Sequence, residues 1–160
     1  MTGARVIEGT GSAAGLRFAL VVSRYNDFVT DRLQAGAIAA LTSAGAATED
    51  LVVVRVPGAF EIPIAARHAA QQGGFAAIVC LGCIVRGQTP HFEYLASAVA
   101  LGIETAAGAT GVPMTFGVLT TNSIEEAIER AGEGPSNKGW EAAAAAIDMV
   151  AVVAELKQAT

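Results

Sequence analysis

Charge is scarce in this chain. Asp, Glu, Lys and Arg make up 16% of its 160 residues, where soluble domains ordinarily carry about 25%. Basic residues are scarcer still: 10 Lys and Arg stand against 15 Asp and Glu, a formal charge of −5 with a pI near 4.9. No Lys/Arg cluster marks a footprint for nucleic acid or for a membrane surface, so neither is expected as a partner. Long apolar runs are also lacking, despite 52% hydrophobic residues and a mean hydropathy of +0.48. Asp148 interrupts the C-terminal run and Gly82 the central one, and no stretch reaches the roughly 18–20 apolar residues of a transmembrane helix. The opening "MTGARVIEGTGSAAG" lacks the apolar middle of a signal peptide, which makes the cytoplasm the expected location.

Cysteine is limited to Cys80 and Cys83, and histidine to His68 and His91. The pair "CLGC" invites a metal or redox reading. However, "FAAIVCLGCIV" reads as a buried strand, on which residues an odd number apart face opposite ways. Small packing residues are the better reading, and no metal ligands are assigned. Nucleotide motifs are missing as well. "GTGSAAG" (Gly9–Gly15) precedes a strand, whereas a dinucleotide fingerprint follows one, and GxxxxGK[ST] does not occur. The shortage of charge has a positive implication, which is apolar surface buried against other copies of the chain.

What is present is an alternation of apolar runs and helical patterns. "LRFALVV" (Leu16–Val22), "LVVVRV" (Leu51–Val56), "FAAIVCLGCIV" and "VPMTFGVLT" (Val112–Thr120) read as strands. Between them lie "DFVTDRLQAGAIAALTSAG", with Phe28, Leu33, Ala37 and Leu41 near helical spacing; "PGAFEIPIAARHAAQQGG", a helix stopped by two glycines; and a helix from Pro90 to about Ala107. Asn122 and Ser123, each with a glutamate three residues on, give a capping signature for "IEEAIERAG". "NKGWEAAAAAIDMVAVVAELKQ" supplies a last helix. No repeat or linker divides residues 1–160, so a single domain is expected, with 1–15 as an N-terminal arm. Strands separated by helical crossovers predict an α/β fold: a three-layer α/β/α sandwich around a four-stranded parallel, flavodoxin-like sheet.

Ligands of such sheets bind beyond the carboxyl ends of the strands. The chemically informative residues gather there, in "SRYND", "PGAFE", "RGQTPH" and "TTNS". In "RGQTPHF", Pro90 suits a helix's first turn and Thr89 its N-cap. The N–H groups of such a start, with Gly87 allowing close approach, make an anion site. His91 at its mouth is suited to proton transfer on a phosphorylated substrate; a capped helix with an incidental surface histidine is the bland alternative. His68, in mid-helix, has no such context. Arg130 at a helix end either complements the dipole or pairs with phosphate, and Lys138 has the same ambiguity. Tyr25 and Phe116 pack in the core or stack on a planar heterocycle. Glu61 favours a helix dipole or accepts hydrogen bonds from a polyhydroxyl chain.

The segments "SRYNDFVT", "VPGAFEIP", "LGCIVRGQTPHFEY", "GVLTTNSIEEAIERAG" and "NKGWEAA" stand in the order and spacing of the lumazine synthase family, and the chain resembles that family from Leu16 onward. The resemblance implies condensation of 5-amino-6-(D-ribitylamino)uracil with 3,4-dihydroxy-2-butanone 4-phosphate to 6,7-dimethyl-8-ribityllumazine, phosphate and water, the penultimate step of riboflavin biosynthesis. Because the substrate supplies the amine, no cofactor is implied. By matching motif, Tyr25 stacks on the pyrimidine. Ala59, Phe60 and Glu61 hold the ribityl chain and ring edge, with Asn26 nearby, and Cys83, Ile84 and Val85 line the pocket through their backbone. Gly87, Gln88 and Thr89 form the phosphate site, Arg130 pairs with the phosphate, and Lys138 sits close to it. His91 transfers protons, and Phe116 closes the pocket from a neighbouring subunit. Tyr25 departs from the family's usual phenylalanine or tryptophan, keeping the π face but adding a hydroxyl that needs a partner.

The resemblance also implies a homo-oligomer. Members form pentamers, and some pack twelve of these into an icosahedral shell; the short turn "AGEGPSNKG" points toward the shell. "ARVIEG" (Ala4–Gly9) can add a strand to a neighbour's sheet. Riboflavin synthase is the protein partner put forward. The competing readings are an archaeal-type riboflavin synthase of the same fold and a non-catalytic ligand-binding or shell-forming relative.

Overall fold

A computed structural model describes residues 3–158. Four strands, β1 (Phe18–Ser23), β2 (Leu51–Val56), β3 (Ala77–Val85) and β4 (Met114–Thr121), form one sheet in the order β2-β1-β3-β4. All three pairings are parallel. The helices are α1 (Asp27–Ser43), α2 (Ile62–Gln72), α3 (His91–Thr110), α4 (Ile124–Arg130) and α5 (Lys138–Gln158). This is the expected α/β sandwich.

Side-chain alternation sorts the core into two layers. Phe18, Leu20, Val22, Val79, Leu81 and Cys83 pack with Leu33, Leu41, Ala143 and Ile147 of α1 and α5. Ala19, Val21, Ile78, Cys80, Ile84 and Val118 pack with Ile62, Ala66, Val99 and Ile103 of α2 and α3. Each fully buried Leu, Ile or Phe contributes about 1.5–3 kcal/mol. Cys80 and Cys83 therefore face opposite layers, as a strand requires. Burial pushes their thiols up to about 12 and about 11, which keeps both protonated and unreactive at neutral pH.

Several boundaries differ from the sequence reading, for identifiable reasons. β4 begins at Met114 because Pro113 has no N–H to give to the ladder. A 3-10 turn, Ala59–Glu61, precedes α2, and Pro63 falls within the first turn of that helix, where its missing N–H costs nothing. α3 continues past Ala107 to Thr110 and stops at Gly111, at φ 72°. Ser123, rather than Asn122, caps α4: its Oγ accepts from the Glu126 N–H at 3.2 Å, while the Glu126 carboxylate accepts from the Asn122 N–H at 2.9 Å.

Thr89 is not the N-cap of α3. Pro90, at φ −70° and ψ 4°, holds that position, and its carbonyl accepts from the N–H groups of Glu93 and Tyr94. His91 thus opens the helix itself. The N-terminal segment lies along its own chain, with Arg5 paired to Glu155 at 3.0 Å. Among the described residues, no helix is long and apolar enough to cross a membrane.

Candidate active site

The ends of β1, β2 and β3 open into one cleft of about 880 Å³. Backbone bonds carry the ladder beyond the strands, Arg24 N–H to the Val56 carbonyl at 2.8 Å and Tyr25 N–H to that of Pro57 at 3.1 Å. The segments after β1 and β2 are thereby held side by side. Asn26 then turns the chain into α1. It adopts the left-handed conformation at φ 63°, tolerated by a short amide side chain. Its carbonyl accepts from Val29 and Thr30, and its Nδ2 donates to the Cys83 carbonyl at 2.9 Å. One residue thus joins the start of α1 to the end of β3.

The cleft is lined by Tyr25, Asn26, Ala59, Phe60, Glu61, Cys83, Ile84, Val85, Gly87, Thr89 and His91, all named from the sequence. Tyr25 is 73% exposed and Phe60 65%; these are aromatic faces that the single chain leaves uncovered. Gln88 is exposed on the same loop but does not line the cleft. His91 is exposed at its mouth. His68 lies exposed on α2, away from the cleft.

Phe116, Arg130 and Lys138 are elsewhere. They line a separate groove of about 570 Å³ along β4, the sheet edge, with Glu141, Ala142 and Ala145 of α5. Cleft and groove share no residue. In the groove Phe116 is 47% exposed, Arg130 donates to the Glu126 carbonyl at 3.0 Å, and Lys138 pairs with Glu141 at 2.9 Å. An aromatic ring and two cations thus sit on an open edge, apart from His91 and the loop 87–89 of their own chain.

Sequence reasoning passed over some of the lining. Leu95 lies four residues after His91, hence on the same helix face, a spacing that was readable. Ile124 follows "TTNS" directly, and Pro57 and Gly58 sit in a strand-end segment already singled out. Phe92 likewise ends the segment "RGQTPHF" already singled out, and its ring lies 4.4 Å beneath the Arg86 guanidinium. Arg86 also pairs with Glu93 in the first turn of α3, and that hydrogen bond holds the Glu93 carboxyl below its usual range. The pair is fully formed above the ordinary glutamate range and is lost only as pH falls through the lowered value.

Comparison with known proteins gives a consistent answer. The family model described as 6,7-dimethyl-8-ribityllumazine synthase matches residues 15–154. A protein of that name from Desulfatibacillum aliphaticivorans is 50% identical over 153 residues, 96% of this chain and 99% of that protein. Another of the same name, from Syntrophus aciditrophicus (strain SB), is 52% identical over 151 residues, covering 94% and 98% respectively.

Proposed function

The chain belongs to the 6,7-dimethyl-8-ribityllumazine synthase family, and on that premise we propose how its residues divide the work of the reaction. It is a transferase of riboflavin biosynthesis, condensing 5-amino-6-(D-ribitylamino)uracil with 3,4-dihydroxy-2-butanone 4-phosphate. The observation that carries the division of labour is the split between a cleft holding His91 and a groove holding Arg130.

In this reading Tyr25 stacks on the pyrimidine. Glu61 accepts hydrogen bonds from the ribityl hydroxyls beside Ala59 and Phe60. The Asn26 side chain donates from Nδ2 to the Cys83 carbonyl, which leaves its Oδ1 to accept from the ring edge. The strand end from Cys83 to Val85 supplies backbone donors and acceptors. The loop Gly87–Thr89 receives the phosphate at the start of α3, with Gln88 on its outer side. A second copy brings its groove against the cleft, so that Phe116 covers the bound ring and Arg130 and Lys138 neutralise the phosphate.

The chemistry proceeds by attack of the substrate amine on the ketone, loss of water to an imine, elimination of phosphate, and ring closure with loss of a second water. Most of the acceleration comes from holding two carbon frameworks and a leaving anion in register. His91, beside the phosphate loop, moves protons in the elimination and dehydration steps. A cleft on one copy meeting a groove on the next is a head-to-tail contact, which makes a ring where its rotation closes, and a closed ring is the assembly proposed. Five chains is the proposed ring, and the short turn 131–137 favours further packing of twelve rings into a shell.

Two measurements test this. With both substrates, absorbance and fluorescence of the lumazine product should rise with release of phosphate; consumption of added lumazine instead would indicate a riboflavin synthase. Light scattering should give a mass far above one ring. A mass near five chains would remove the shell and keep the shared site, and a monomer that turned over at full rate would remove both.

A further inference from the structure

We propose that Arg86 is a positioning residue for the phosphate loop, acting by bracing that loop rather than by touching the phosphate. The proposal rests on the reading of Gly87–Thr89 as the phosphate site. Arg86 stands immediately before this loop, yet it lines neither the cleft nor the groove. Two of its three guanidinium nitrogens bond to protein. Its N–H donates to the Thr121 carbonyl at 2.8 Å, its Nε donates to Asn122 Oδ1 at 2.9 Å, and its Nη1 pairs with Glu93. Its plane lies over the Phe92 ring at 4.4 Å.

These contacts surround the loop. Arg86 precedes it and Glu93 follows it, so their ion pair closes Gly87–Phe92 into a ring and sets the distance from the end of β3 to His91. Asn122 leads into α4, whose Ile124 lines the cleft, and Phe92 lines the cleft as well. The guanidinium therefore ties both walls to the loop between them. Gly87, Gln88 and Thr89 are exposed, and a segment of that kind presents its N–H groups to an anion only if its ends are fixed. A planar fork that bonds two partners while stacking on a ring does this; a lysine cannot do all three.

Glu93→Gln separates the brace from a direct phosphate ligand. Breaking the ion pair removes a negative charge and frees Arg86. A direct ligand would then bind phosphate more tightly, whereas a brace binds it less tightly. The readouts are the inhibition constant of inorganic phosphate and KM for each substrate, measured on the assembled enzyme. Arg86→Met and Arg86→Lys should each raise the phosphate constant and KM for the phosphorylated substrate about tenfold. Glu93→Gln should shift both in the same direction, with KM for the pyrimidine unchanged. The double variant Arg86→Met/Glu93→Gln should be no worse than Arg86→Met alone.

Tighter phosphate binding in Glu93→Gln, full retention of phosphate affinity in Arg86→Lys, or equal losses for both substrates would overturn the proposal. Thr89→Val serves as the marker for the loop itself. If it weakens phosphate binding and the Arg86 variants do not, only the brace fails; if none of them does, the assignment of the loop fails too.

Discussion

Assembled together, His91→Ala and Arg130→Ala subunits should recover activity that neither has alone. Alone, His91→Ala should retain the loop and lose proton transfer, slowing turnover about 10²–10⁴-fold. Arg130→Ala should keep turnover at saturation but lose a charge-assisted bond to the phosphorylated substrate, worth about 1.5–3 kcal/mol, which is about 10- to 150-fold in kcat/KM. The recovery follows from the two sites being apart on one chain. His91 lines the cleft and Arg130 the groove on β4, and the proposed ring would build each active site from two copies.

In a random equimolar mixture, half of the clefts belong to Arg130→Ala chains and carry an intact His91. Half of these face a groove from a His91→Ala chain, which carries an intact Arg130. About a quarter of all sites are then complete. The mixture, co-expressed or co-refolded and assayed below saturation in the phosphorylated substrate, should reach about a quarter of native activity. A rate equal to the mean of the two separate variants would place both residues in one chain's site and sink the shared-site reading.

Much of the cleft was legible because parallel strands announce themselves as continuous apolar runs, and the residues just past them are the ones that meet ligands. β2 falls on Leu51–Val56 as read, and Tyr25, Glu61 and His91 reach the cleft from three such junctions. The division into cleft and groove was not legible from the residues alone. It depends on strand order: β4 is the sheet edge, beyond β3, and alternation of helix and strand does not encode order. Asn26 was named through the family resemblance, but the contact that fixes it was hidden for a similar reason. Its left-handed backbone is stabilised by a bond to a carbonyl 57 residues away, and nothing in "SRYND" points there. The misplaced cap at Thr89 was a one-residue error; Pro90 can precede α3 as readily as begin it, and local pattern does not separate the two.

Position in the groove is likewise set at a distance, through Asn137. Buried between α4 and α5, its Nδ2 donates to the Gly132 carbonyl at 2.7 Å and to the Arg32 carbonyl of α1 at 3.2 Å. Its Oδ1 accepts from the N–H groups of Gly139 and Trp140 at 2.7 and 3.1 Å, capping α5. The turn it organises has Arg130 shortly before it and Lys138 directly after it. A single amide therefore sets where both groove cations project, and the low overall charge of the chain makes those two cations count.

The same junction gives the second large effect, which is expected from adding one methyl group. At an ordinary helix position Gly→Ala stabilises by about 0.5–1 kcal/mol. At Gly139 the sign should invert. A Cβ there would fall 2.0 Å from the Leu33 carbonyl oxygen, and the obstacle is backbone of α1, which cannot rotate away as a side chain would. The helices must separate, breaking the Asn137 bonds to Arg32 and Gly139 and opening the Leu33–Ala143 layer. Overpacking of this kind costs about 1–3 kcal/mol, and the broken buried bonds add about 1–3 more. A domain of this size loses about 2–4 °C of Tm per kcal/mol, so calorimetry should show Tm lower by about 10 °C. Gly102→Ala, whose Cβ would meet only the Pro63 ring at 2.8 Å, should lose less. Because Lys138 adjoins Gly139, the Gly139→Ala protein that remains folded should also show raised KM for the phosphorylated substrate, with KM for the pyrimidine held. An unchanged Tm would mean that α1 and α5 do not meet backbone to backbone at this glycine.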